Sequence, residues 1–295
     1  MESPAEQLWL NWGTPASDNA PPSSANAPAA AADVDWRRRQ ALRRAVLRWL
    51  LATEKPAGAA VDTITRLSKL KADIAAFWSR PMRNPHDEGP GQLWQPARTA
   101  IVQCFLSREE CWPDWSRSAE LAPRLRDLKL RLHQLEEQIR TEEPELRDGD
   151  ALFDEYAQWR YEDSGNREYH HVRRDIEKTE QALYRGTQFE RIRQAALADQ
   201  LYLAVPAGLI QPEELANGWG LLWVAEDLTV TVAAQPESRE CHPENRLHLV
   251  QNIAAAGTGA VLFAMGLRAQ SDGTLQFVQP PRGHRRPQEL TLAGG

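Results

Sequence analysis

Arg37, Arg38, Arg39, Arg43, Arg44 and Arg48 form the densest positive cluster in the chain, within DWRRRQALRRAVLRWLLATEK. Guanidinium groups at this density can contact phosphates, or they can pair with acidic helices elsewhere in the chain. Asp73, in KADIAAFW, is an acid on a short apolar segment. If that segment is a strand, Lys69 and Lys71 share its face with Asp73. His171 and Asp175 stand one helical turn apart, next to Tyr169 and His170, a spacing compatible with a metal or an acid/base pair. Two ligands do not make a site, so this stretch is read as a solvated helix face. Cys241-His242 lies in the polar run PESRECHPENR with no base or second ligand at a useful spacing. It reads as a surface dipeptide, with a lone reactive thiol as the other reading. The G-T-G-A at 257–260 lacks the strand and the Gly-Lys-Ser/Thr of a phosphate loop. Trp219 and Trp223 flank a candidate strand and read as core.

These residues need elements to hold them. The arginine run reads as a helix from Asp35, a candidate N-cap, with Leu42, Val46, Trp49 and Leu50 on one face and arginine on the other. After a break at Lys55 to Gly58, residues 71–78 and 99–106 read as strands, and the proline- and glycine-rich stretch between them as a loop. Leu121, Leu125, Leu128, Leu132, Leu135 and Ile139 recur at spacings of four and three, which makes one seam of a long helix. Val172, Ile176, Thr179 and Leu183 repeat that spacing, so the two helices should form an antiparallel hairpin with Pro123 in the first turn. Beyond Gly186 a helix through Phe189, Ile192 and Ala196 leads to strands at 200–206, 220–225 and 228–233. A helix over 245–265, interrupted near Gly257 and Gly259, and a polar tail complete the chain.

Composition bounds what the assembly can be. A chain of 295 residues with 42% hydrophobic content can bury a full core. Three cysteines, Cys104, Cys111 and Cys241, cannot all pair and have no repeated C-x-x-C spacing, which favours reduced thiols in a cytoplasmic protein. No stretch approaches 18 consecutive apolar residues and the N-terminus has neither a basic start nor an apolar core, so no membrane partner is expected. A net charge of -6 argues against global coating of nucleic acid and leaves only local basic patches. Residues 13–33 are Pro, Ala, Ser and Asn and read as a flexible linker behind an apolar tag at Leu8, Trp9, Leu10 and Trp12.

The order of these pieces resembles the MmcB-like branch of the PD-(D/E)XK nuclease-like proteins. The resemblance covers residues 36–117 and 187–234 and rests on Asp73 in KADIAAFW and on Ser107, Arg108, Glu110 and Asp114 in IVQCFLSREECWPDW. Tyr202, Ala204, Val205, Pro206 and Gly208, ahead of GWGLLWV, complete it. It implies a strand aspartate followed by a strand ending in E-x-K, whose acid and lysine point to one face and meet a divalent cation, Mg or Mn, that activates water. Here the matching positions are Gln103 and Phe105. Glutamine still offers a carbonyl oxygen without charge; phenylalanine offers neither charge nor proton. Glu54 is a further candidate acid. The expected fold is α/β, a mixed sheet of restriction-endonuclease-like type with flanking helices and an inserted long antiparallel helical hairpin.

The expected layout is an N-terminal segment (1–34), a split nuclease-like domain (35–117 and 187–268), the hairpin (118–186) and a tail (269–295). The expected function is that of a DNA-repair or defence protein with a degenerate centre at Asp73 and Gln103. No cofactor is certain, with Mg or Mn expected only if the site is active, and it would bind nucleic acid through Arg37, Arg38, Arg43, Arg44 and Arg48, or a partner. The alternatives are an active metal-dependent nuclease with a rearranged site, and an interaction adaptor built on the hairpin, which could also self-associate.

Overall fold

The computed structural model describes residues 27–66, 70–83, 92–112, 115–148, 158–269 and 274–277. The apolar tag at residues 8–12 lies outside them. Helix α1 (Ala27–Trp49) starts inside the stretch expected to be linker. Its first residues are a run of alanines, the strongest helix formers, behind Pro28, which a first turn tolerates. A π-helical turn, Leu50–Glu54, ends the element at Lys55, whose φ of 48° lies in the left-handed region. Ala41, Leu42, Ala45, Val46 and Leu50 are buried at helical spacing and press against one face of the sheet.

Three strands follow, β1 (Gly58–Ile64), β2 (Lys71–Arg83) and β3 (Gln92–Cys104), paired antiparallel in turn. Strand β1 is absent from the sequence reading, because GAAVDTI offers little alternation of apolar and polar residues. The expected loop between β2 and β3 is instead largely a two-stranded arm, with Pro81 opposite Trp94 and Ser79 opposite Pro96. The arm extends past the pairing of β1 with β2, so each strand there has an unpaired edge where proline is tolerated.

After the short helix α2 (Arg108–Cys111) comes the hairpin of α3 (Trp115–Glu142) and α4 (Arg167–Tyr184), with the two-residue strands β4 (Arg147–Asp148) and β5 (Gln158–Trp159) paired near its tip. Leu125, Leu135 and Ile139 on α3 and Val172, Ile176 and Leu183 on α4 are buried, with Leu128 and Leu132 partly so. The leucine seam is thus closed within the chain. Pro123 sits well inside α3 rather than in its first turn, because the helix begins at Trp115. Helix α5 (Gln188–Gln194) then leads into β6 (Gln200–Pro206), β7 (Trp219–Val224) and β8 (Val230–Ala234).

The main sheet runs β1-β2-β3-β6-β7-β8, with β3, β6 and β7 parallel and β8 antiparallel. Parallel neighbours cannot be joined by a tight turn, so the hairpin and α5 occupy the crossover from β3 to β6. Helix α6 (Pro243–Ala264) runs through Gly257 and Gly259 without the expected interruption, since the flanking alanines favour helix. Its composition and length would suffice to cross a membrane, but Leu249 and Ile253 dock its first half on the sheet. The expected tail contributes β10 (Leu275–Phe277), paired with β9 (Leu267–Ala269). The fold is α/β, with a mixed sheet between helical layers and a helical hairpin inserted after β3.

Candidate functional site

Strands β2 and β3 are paired up to Ile74 and Val102 and then part. Side chains bridge the fork. Asp73 accepts the backbone N–H of Cys104 on Oδ2 at 2.8 Å, and Gln103 donates its amide to the Lys71 carbonyl at 3.1 Å. The other Asp73 oxygen meets Nη2 of Arg43 from α1, and the same nitrogen lies 3.0 Å from Oδ1 of Asp62 on β1. Asp62 has a φ of 51°, so this residue of β1 leaves regular strand geometry beside Asp73. Burial works against the charge on Arg43, but the hydrogen bond and field of Asp73, helped by Asp62, outweigh it and raise its pKa. Burial, reinforced by Asp73, drives the Cys104 thiol well above the usual range, so it is inert as a nucleophile at neutral pH.

Two more arginines tie down the end of β3. Arg39 donates to the Cys104 carbonyl at 2.9 Å and to Glu110 at 2.6 Å, while Glu110 also accepts the Leu106 N–H at 3.1 Å. Arg108 grips both oxygens of Glu214, at 3.1 and 2.8 Å, donates to the Leu209 carbonyl and lies over Trp112. Burial would raise the pKa of Glu214, but Arg108 and the Gln211 N–H hold it below the usual range. Ser107 is the N-cap position of α2, and its carbonyl accepts the Cys111 thiol. The matched run around Arg108 and Glu110 therefore links β3 to α1 on one side and to the β6–β7 connection on the other. Asp114 and Lys69 lie outside the described residues.

The residues that the resemblance groups together are not brought together as a metal centre. Asp73 reaches the α1 layer, whereas Gln103 shares its strand face with Ile101 and Phe105, which belong to the cluster on the opposite side of the sheet. Phe105 is buried, with its ring 5.6 Å from that of Phe189. Glu54 pairs with Arg98 at 3.2 Å, near Trp78 and so about 16 Å along β2 from Asp73. Lys71 is exposed. Among the described residues no group of three or more His, Cys, Asp or Glu side chains could hold a metal ion. Mg or Mn, which the resemblance implies, does not fit this arrangement: each oxygen of Asp73 already has a donor, and the cation beside it is Arg43.

The arginine helix divides its residues between two tasks. Arg39 and Arg43 turn inward to the fork. Arg37, Arg44 and Arg48 are exposed, and their spacings of seven and four place them in one stripe about 17 Å long. Arg38 lines a cleft of about 330 Å³ at the carboxyl ends of β3, β6 and β7, with Leu106, Pro206, Leu209, Val224 and Glu226. Such ends are where open α/β sheets commonly take ligands.

The remaining candidates have structural roles. His171 stands 3.5 Å from Asp175 on an exposed face, and His170 Nε2 pairs with the Ser164 carbonyl at 2.8 Å. Cys241 is buried rather than on the surface, its thiol directed at the Ala196 carbonyl and its N–H at Asp199, because the polar run around it is strapped to the sheet by that aspartate. Trp219 is buried, and Trp223 donates to the Ile210 carbonyl at 2.9 Å. Asp62, Asp199 and Glu214 escaped the sequence reading. Their partners are distant in the chain, and no local spacing marks an aspartate that will meet an arginine from another layer.

No family model matches the chain, and no curated protein matches it. Among solved structures, the SPO1766 protein of unknown function from Silicibacter pomeroyi is similar at 14% identity. The match covers 76% of this chain and 88% of that chain, with a TM-score of 0.36, which is too low to bear on fold or function.

Proposed function

We propose that this is a cytoplasmic DNA-repair or defence protein of the PD-(D/E)XK nuclease-like, MmcB-like kind that has lost its metal chemistry and acts by binding nucleic acid along α1. The observation that carries this reading is the division of the arginine helix. Arg43 neutralises the aspartate that would have held a cation, while Arg37, Arg44 and Arg48 present a stripe to solvent. A stripe of about 17 Å spans roughly five base pairs of duplex, enough for two or three phosphate contacts. The buried Phe105 in the position of the lysine supplies neither a proton nor a charge, so water activation at the fork has no support.

The test is a pair of assays on one preparation. Fluorescence anisotropy at low salt should show binding of DNA or RNA that weakens in the double variant Arg44→Glu, Arg48→Glu, and incubation with Mg or Mn should leave those substrates uncut. Robust cutting abolished by Asp73→Ala would instead favour a rearranged nuclease. Undetectable binding, unchanged by the arginine variants, would favour an adaptor in which the hairpin carries the interaction.

A further inference from the structure

Helix α6 carries no Asp, Glu, Lys or Arg between Arg246 and Arg268, and of an apolar window of 18 residues within it only 11% is buried. Leu249 and Ile253 seat its first half on the sheet, but from Ala254 to Met265 no residue is buried. Four consecutive residues of that stretch, Thr258 to Val261, are all exposed, and at about 100° per residue they go once round the helix. The large side chains there stand in solvent: Val261 and Phe263 are each 62% exposed and Met265 71%, with Leu275 of β10 at 55%. A helix that is apolar all round belongs in a protein core or in lipid. An apolar segment of about 10 to 14 residues that is not in a core has the length of an interfacial one.

Three observations favour lipid over a second protein surface. A protein partner covers one stripe of a helix, whereas this end is bare on every side. Its polar groups are satisfied within the chain, as lipid requires: Thr258, the only polar side chain from Ala254 to Met265, donates to the Ala254 carbonyl at 3.0 Å, and the N–H groups of Met265 and Gly266 return to the carbonyls of Val261, Leu262 and Phe263. The chain that follows, 266–295, carries four arginines against one aspartate and one glutamate, in a protein whose net charge is -6.

We propose that the free end of α6, Ala254 to Met265, is a membrane-surface anchor that lies in the headgroup boundary of an anionic bilayer, with the basic sequence behind it meeting the lipid headgroups. The apolar end alone gives weak, reversible attachment, and the arginines add the second signal that stable attachment needs. Helix α6 packs on the sheet face opposite α1, so the anchor is separate from the arginine stripe and does not rest on the nucleic-acid reading.

The experiment is cosedimentation of the full chain with vesicles of phosphatidylcholine alone and of phosphatidylcholine with an equal part of phosphatidylserine, with light scattering of the lipid-free protein to give its oligomeric state. Wild type should be a monomer that binds the mixed vesicles, and should bind phosphatidylcholine alone about tenfold less tightly. Val261→Asp with Phe263→Asp should weaken binding to the mixed vesicles about tenfold or more at unchanged Tm, since both side chains are exposed. If that pair does not fold, Phe263→Ser with Met265→Ser takes its place, with a smaller loss in the same direction. Arg44→Gln with Arg48→Gln, on the other face of the sheet, should sediment with vesicles as wild type does. The proposal is overturned if wild type ignores both kinds of vesicle, if binding survives the changes at the end of α6, or if it is lost with Arg44→Gln, Arg48→Gln. It is equally overturned if wild type is a dimer that Val261→Asp, Phe263→Asp dissociates, which would make this surface an interface between copies of the chain.

Discussion

The segment of β3 that pairs with β6, residues 100–104, is flanked at each end by a largely buried aspartate–arginine pair, and the two ends are built differently. At its amino end Asp199 accepts five hydrogen bonds: two from Arg246, one each from the Thr99 N–H and hydroxyl, and one from the Cys241 N–H, at 2.5 to 3.0 Å. Every acceptor position is filled, and the group joins β3, β6, α6 and the segment before α6. At its carboxyl end Asp73 accepts, among the described residues, from Arg43 and the Cys104 N–H, and Arg43 is shared with the half-exposed Asp62. A saturated buried carboxylate has nothing left to offer a ligand, so the first is a staple. The second is less saturated, with a second acid at hand and a surface beside it.

Breaking the staple should have the largest effect. Asp199→Ala strands Arg246 and two backbone donors in the interior and should cost about 3 to 5 kcal/mol in urea unfolding. Leu135→Ala, deep in the hairpin and free of any charge, gives a scale for packing alone and should cost about 2 to 5 kcal/mol. Asp73→Ala should cost less, about 1 to 3 kcal/mol, because Arg43 keeps Asp62 and only the Cys104 N–H is orphaned. Equal losses at Asp73 and Asp199 would erase the contrast between the two ends.

Acid titration sharpens it. Burial alone would raise the pKa of Asp199, but Arg246 and the Cys241 and Thr99 donors outweigh burial and hold it below the ordinary carboxylate range. A carboxyl depressed on folding stabilises the native state above its unfolded pKa, and that share is lost as pH falls through the folded value. The stability gap between wild type and Asp199→Ala should therefore be full at pH 7 and 5 and shrink only below about pH 4. Urea curves at those pH values check it, and a gap that closed already between pH 7 and 5 would place the carboxyl elsewhere. The smallest expected effect is none: Asp73→Ala should leave background hydrolysis of DNA and RNA with Mg or Mn unchanged in a gel assay.

The sheet was largely legible where strands are buried on both faces. In QLYLAVP the apolar run is bounded by polar and glycine-rich sequence, and its limits coincide with β6. The hairpin was legible for a similar reason, since spacings of three and four survive whatever the helix packs on. Strand β1 was not, because GAAVDTI owes its conformation to pairing with β2 rather than to its own pattern. At the site, Asp73 and the arginines could be singled out by residue type and order. Their sorting could not: which arginines turn inward depends on where Asp62, Glu110 and the Cys104 carbonyl arrive in space. The polar run around Cys241 misled because nothing local announces Asp199, 42 residues away in sequence.

The most direct test of the account is the salt dependence of nucleic-acid binding by the wild-type chain and by the triple variant Arg37→Glu, Arg44→Glu, Arg48→Glu. If the stripe on α1 is the binding surface, a plot of log affinity against log salt should have a slope of about -2 to -3 for wild type and should flatten, with binding lost at low salt, in the variant. A wild-type slope near zero, or a slope and affinity unchanged in the variant, would contradict it.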